Sequence, residues 1–316
     1  MRLLIITLCS FLFLSVARAN PDDAAETAVK RLGGEAVRNK DGAITLVILR
    51  KKATDAGLKT LAPLLAPLTQ MTTLRLLGSR VSDDGLKELA KLTQLTQLDL
   101  RDTSITGTGL KHLAPLKDLT VLFLGETRVT NAGLKNLAPF TGLTFLDLFD
   151  APITDAGLEE LAPLTHLTDL HLGSTQVTDA GLKSLARFKD LKTLSLGRTD
   201  VTDAGIEELA PLTMLTDLSL EKTRVTDAGM KSVARFKALT SLRLWRTNVT
   251  DSGLKELATL TGLTDLDLEE THVTDSGLKH LATLTKLTRL NLKGTQATEA
   301  GSKGLMKLLP QCEIQH

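Results

Sequence analysis

The 316-residue chain has no tyrosine, one tryptophan and eight phenylalanines, so aromatics make up 3% of it. A core built from such a chain has to be aliphatic. Neither sign of charge prevails: 38 basic against 37 acidic side chains leave a net charge of +1. That balance gives no support to a nucleic-acid-binding face or to docking on an anionic membrane. Cysteine is nearly missing, with only Cys9 and Cys312. The chain also lacks G-x-S-x-G, H-E-x-x-H, C-x-x-C and a phosphate-cradling glycine loop. With them go the common signatures of hydrolytic, metallopeptidase, redox and nucleotide chemistry. No segment beyond the first residues is apolar enough to span a membrane.

Those first residues, MRLLIITLCSFLFLSVARA, combine a basic start at Arg2, an apolar run from Leu3 to Val16 and an A-x-A site at Ala17-Arg18-Ala19. The pattern is that of a secretory signal peptide over residues 1–19, cut after Ala19. The expected destination is the cell envelope, the periplasm or the medium. An uncleaved anchor is the alternative, but the run is shorter than the ~20 residues of a spanning helix. A lipid-anchor box at Cys9 is disfavoured, because Leu8 stands where a small residue is needed. Cleavage leaves 36 basic residues, 37 acidic ones and Cys312 alone, which excludes an internal disulfide.

What the chain does have is a repeat. Leu-x-Leu pairs begin at Leu74, Leu98, Leu122, Leu146, Leu170, Leu194, Leu218, Leu242, Leu266 and Leu290, always 24 residues apart. Leu46 opens a further pair, set four positions too far ahead of Leu74 for that period. The surplus is assigned to a duplicated Leu-Ala-Pro-Leu within residues 61–68. The expected division is a cap over residues 20–43, eleven repeats over 44–309 and a C-terminal cap strand over 310–316 that contains Ile314. In the first cap, Asp22 or Asp23 is expected to start a helix that runs to Leu32 and stops at Gly33-Gly34. Glu35–Arg38 and Ala43–Leu49 then form two strands around a turn, shielding the open edge of the solenoid.

The stretch Leu119 to Gly142 illustrates one unit. Leu119, Leu122 and Leu124 point inward from a short strand, and Thr127 marks the bend. Thr130 is placed to cap a helix, flanked by Val129 and Leu134 in staple positions. An acidic residue follows the corresponding threonine at Asp155, Asp179, Asp203 and Asp227, where it favours the positive helix start. Calcium ligation by the Thr-Asp pairs is the weaker reading. Gly133 lies where a side chain would crowd the neighbouring unit, Leu134, Leu137 and Phe140 form the helix's inward stripe, and Pro139 is expected to end the helix. The apolar positions of one unit cannot offset the entropy of ordering all of it, so a unit folds only against its neighbours.

The pattern L-T-x-L-x-L-x-x-T-x-V-T-D-A-G-L-K-x-L-A resembles a leucine-rich repeat of the short-helix type found in bacterial proteins. It is similar to the repeats of F-box and ribonuclease-inhibitor-like proteins. The resemblance implies an α/β solenoid, a curved horseshoe with a parallel sheet on its concave face and short helices on its convex face. One departure is the bend, where the family favours Asn or Cys. Here the column is Thr103, Thr127, Thr175, Thr199, Thr223, Thr247, Thr271 and Thr295, with Lys51, Ser79 and Ala151 as exceptions. No F-box precedes the repeats.

Strand positions flanking the core leucines vary from repeat to repeat and are the natural display surface. Val121, Phe123, Phe145 and Phe149 form an apolar cluster there, beside a shallow floor at Gly125, Gly173 and Gly197. Arg243, Trp245 and Arg246 form a second cluster, with Glu221 and Lys222 on one side and Asp267, Glu269 and Glu270 on the other. Trp and Arg are enriched in binding hot spots, although Arg243–Asp267 and Arg246–Glu270 pairs would make the second cluster an ordinary surface ladder. His171 with Asp147 and Asp169 is a cryptic metal or acid–base constellation, weakened by the absence of a second His or Cys. The expected function is a non-enzymatic, monomeric scaffold that binds a protein or peptide on its concave face, with no cofactor and no bound metal. The alternative is a passive envelope spacer. Asn248-Val249-Thr250 matters as a glycosylation sequon only in a eukaryotic secretory pathway.

Overall fold

The computed structural model describes residues 20–316; the expected signal peptide lies outside the described residues. The chain winds into a solenoid whose thirteen strands form one sheet in strict sequence order. They are β1 Glu35–Arg38, β2 Ile44–Ile48, β3 Thr73–Arg75, β4 Gln97–Asp99, β5 Val121–Phe123, β6 Phe145–Asp147 and β7 Asp169–His171. The rest are β8 Thr193–Ser195, β9 Asp217–Ser219, β10 Ser241–Arg243, β11 Asp265–Asp267, β12 Arg289–Asn291 and β13 Glu313–Gln315. Every pairing is parallel except β1 with β2, an antiparallel hairpin at the N-terminal edge. Strands spaced ~4.8 Å apart are backed by helical segments ~10 Å wide, and that mismatch bends the stack with the sheet on the inside.

The N-terminal helix α1, Pro21–Arg31, is capped by Asn20 and not by Asp22 or Asp23: the Asn20 side chain accepts from the Asp22 N–H. Pro21 at the first helical position fixes that start ahead of both aspartates. Asp22 is engaged elsewhere, accepting from the Ile44 N–H at 2.7 Å and so tying the helix to β2.

The first repeat is out of step with the leucine pattern. Val47, not Leu46, lies opposite Leu74, and Ile44, Val47 and Leu49 are fully buried while Leu46 is only partly covered. The surplus over the regular period is therefore three positions, not four. In the run Ile44-Thr45-Leu46-Val47-Ile48-Leu49 both faces are apolar, so alternation alone leaves the register open, and a one-residue slip exchanges the faces. The surplus length is taken up by the helix α2, Asp55–Leu65, which contains Pro63.

In the coils between β3 and β12 the helical segments are short, and Phe140 lies beyond its helix. There Asn131–Leu134 is α-helical, Lys135–Leu137 tightens to a 3-10 turn, and Phe140 fills the core from the following bend. The bend threonines bond their own coil: Thr127 Oγ1 donates to Leu124 O at 2.5 Å, and Thr175 Oγ1 to Leu172 O at 2.6 Å.

Cross-links between coils come from the acidic residue after each capping threonine. Asp227 Oδ1 accepts from the Thr250 and Gly253 N–H groups at 2.7 and 3.0 Å, and its Oδ2 accepts from Thr250 Oγ1 at 2.6 Å. The same clamp runs from Asp55–Ser82 to Asp275–Thr298, with Asn131 acting on Thr154. One rung is missing. Gly107 stands in the aspartate's place, and it is packed so closely on Gly133 that a Cβ there would lie 2.7 Å from the Gly133 Cα.

Candidate functional site

Because inward positions go to leucine, the intervening residue of each strand faces the concave side. Register then decides which side chains meet. Phe123 lies opposite Asp147 and Val121 opposite Phe145; Asp147 lies opposite His171 and Phe145 opposite Asp169. Phe123 and Phe145 come together on the diagonal, with ring centroids 4.7 Å apart and the planes tilted by 46°. The His171 ring continues the row at 5.1 Å from Phe145, and the Arg101 guanidinium covers the other end, 4.6 Å from the Phe123 centroid. The result is one strip, Arg101–Phe123–Phe145–His171, across β4 to β7. Val121, Phe123 and Phe145 are half-buried, and Phe149 is 37% exposed.

Arg101 is fixed as well as displayed. Its Nε and Nη2 donate to Asp99 at 3.0 and 2.7 Å. The Asp99 carboxylate raises its pKa above the ordinary arginine value, so the charge over Phe123 is permanent. Sequence reasoning missed Arg101 and Asp99. The available signal was position: Arg101 occupies the same repeat position as Phe149 and Trp245.

The floor beside Phe149 is not open. The Phe149 ring lies against Gly173, and the Glu221 carboxylate occupies the space above Gly197. Absent side chains at the two glycines leave room for neighbours of this same chain, which move in.

Around Trp245 the structure gathers two cations over the indole ring. Lys222 Nζ is 4.6 Å and the Arg246 guanidinium 5.5 Å from the ring centre. Arg246 also forms a two-point pair with Glu270, at 2.5 and 2.7 Å. The expected Arg243–Asp267 pair does not form. Among the described residues Arg243 has no ion-pair partner, while Asp265, on the strand beside it, is held by Arg289. Arg243, Asp267 and Arg289 line a concave hollow of about 400 Å³ that extends to Glu313. Burial pushes the Asp267 carboxyl above its ordinary value, and it accepts from the Glu269 N–H. Glu269 in turn accepts from Asn291 Nδ2 at 2.9 Å. Glu221 is also raised by burial, and its Oε2 is buried without a hydrogen-bond donor.

The His171 constellation does not converge. Asp147 is buried and accepts from the Phe149 N–H at 2.9 Å, and Asp169 accepts from Thr168 Oγ1 at 2.7 Å. His171 packs on Phe145 instead of bonding either carboxylate. Among the described residues no group of three His, Cys, Asp or Glu side chains is arranged to hold a metal. Cys312 is buried in the C-terminal cap, which raises its thiol pKa to about 11. Among the described residues no helix is long and apolar enough to cross a membrane.

Comparison with known proteins agrees with this architecture. A family model described as a leucine-rich repeat region matches residues 45–300. Among solved structures, an internalin from Listeria monocytogenes is 21% identical with a TM-score of 0.60, over 93% of this chain and 95% of that one. A leucine-rich repeat protein from Leptospira interrogans is 19% identical with a TM-score of 0.51, over 85% and 81% of the two chains. At such identities the likeness is one of fold. No curated protein matches the chain.

Proposed function

Because this chain belongs to the leucine-rich repeat family, we propose that it is an exported, non-enzymatic scaffold that binds a protein or peptide partner on its concave face. One observation carries the reading: the half-exposed strip Arg101–Phe123–Phe145–His171, with Phe149 beside it. All other phenylalanines among the described residues (Phe140, Phe188 and Phe236) are buried in the core. Aromatic rings left half in water lose burial energy that a partner restores, which is why such patches mark interaction sites. A passive spacer gains nothing from them. Export is supported by the signal-like residues 1–19, and the partner is then one met outside the cytoplasm.

Neither ring is needed for the core, so Phe145→Ala combined with Trp245→Ala is expected to leave the circular dichroism spectrum unchanged. The double variant should fail to capture a partner that the parent protein captures saturably from envelope extracts. Equal capture by the two proteins contradicts the reading.

A further inference from the structure

A second feature of the inner face is a column of strained residues along its rim. Asp102, Glu126, Asp150, Ser174, Arg198, Lys222, Arg246 and Glu270 occupy equivalent positions in successive coils, all with φ between 51° and 59°. The conformation is imposed by the turn, which aims each N–H at the next coil: Glu126 N donates to Phe149 O at 2.7 Å, and Lys222 N to Trp245 O at 2.9 Å. Glycine suits this conformation best and is used in the coils near both ends, at Gly78 and Gly294 with φ of 65° and 67°. Between them seven of the eight residues are charged, each held at a backbone penalty that glycine would not carry.

From Asp102 to Arg246 the signs along that column are sorted, and Glu270, its last member, reverses the sign again. Asp102, Glu126 and Asp150 come first, Ser174 separates, and Arg198, Lys222 and Arg246 follow. Among the described residues none of the three acids forms an ion pair, nor do Arg198 and Lys222; Arg246 pairs with Glu270. A rim whose charges served only solubility would have no need to segregate them or to place them on strained backbone. The pitch is set by the hydrogen-bonded coils at ~4.8 Å, so the six steps from Asp102 to Arg246 span ~29 Å. An extended peptide advancing ~3.3–3.6 Å per residue covers that distance in about eight or nine residues. Phe149, next to Asp150, marks where an apolar residue of such a peptide would lie.

We propose that the partner's contact segment is an extended, charge-blocked peptide laid along this rim. Its cationic residues lie over Asp102, Glu126 and Asp150, an apolar residue over Phe149, and its acidic residues over Arg198, Lys222 and Arg246. This deepens the concave-face reading and rests on it.

The test uses two capped synthetic peptides of identical composition, KKKGLGEEE and KEKGLGEKE, titrated against the full mature protein by fluorescence anisotropy. The blocked peptide should bind at least about tenfold more tightly at low salt, with the gap narrowing as salt rises. The triple variant D102N/E126Q/D150N should erase that preference without changing the melting temperature by more than a degree or two. Equal affinity for the two peptides, or binding of neither, overturns the proposal. If the preference persists while the Phe145/Trp245 double variant still captures its partner, the aromatic reading fails and the rim stands. If that capture is lost but the peptides are bound equally, the rim fails alone.

Discussion

Asp155 holds Thr178, one coil further along, by both carboxylate oxygens: Oδ1 accepts from the Thr178 N–H at 2.8 Å, and Oδ2 from its Oγ1 at 2.7 Å. The same Oδ1 fills the space that a Cβ on Gly181 would need. The aspartate and glycine columns of the repeat are therefore one device, a side chain and the gap that admits it.

That coupling has a measurable signature. Asp155→Ala removes two hydrogen bonds to a partly buried turn, at a cost of about 2–3 kcal/mol. Gly181→Ala, which drives a methyl group into the carboxylate, should cost about 1–3 kcal/mol. In the double variant the methyl group enters space already vacated. Urea denaturation should then show the two losses falling short of additivity by about 1 kcal/mol or more. Strict additivity would mean that the glycine is kept for some other contact.

The strained rim predicts a gain of stability. Arg198 has φ of 59° and is exposed. Replacing it with glycine removes a left-handed penalty of about 1–2 kcal/mol and adds unfolded-state entropy of about 0.4–1 kcal/mol. The variant should be more stable by about 0.5–1 kcal/mol in denaturant titration, and it should bind the charge-blocked peptide less well. A loss of stability would show that the Arg198 side chain holds the turn in place.

Glu221 predicts a dependence on pH. Burial raises its folded-state pKa above the ordinary carboxylate value. A raised carboxylate binds its proton more readily folded than unfolded, so stability falls as pH rises through the raised pKa and returns on acidification. Glu221→Gln should therefore be more thermostable than the parent at pH 7, with the advantage shrinking toward pH 4. An advantage that is constant across this range would contradict the assignment.

The regular period made most of the fold legible, because every coil repeats the same buried leucines. What it hid was anything that depends on neighbouring coils. The register at Val47 was obscured by a strand apolar on both faces. The clamp was invisible because Asp155 and Thr178 lie in successive coils, nearly a full period apart, and a helix-start role already accounted for the aspartate locally. Its one sequence signal was the exception, Gly107. The left-handed column likewise betrayed itself only where glycine appears, at Gly78 and Gly294. In the candidate site, Phe123, Phe145 and Trp245 stood out as residue types. Arg101 did not, since an arginine stacked on a ring looks like any surface arginine until the register places it there.

The claim that the concave face carries function is tested most directly by site-specific photo-cross-linking in the native host. A photoreactive amino acid at Val121, inside the aromatic strip, is compared with one at Met214, which is 49% exposed in the bend leading into β9, away from the strip. The account predicts one predominant adduct from position 121, lost when Phe145 is replaced by alanine, and none above background from position 214. Equal labelling at the two positions, or adducts from position 214 alone, would contradict it.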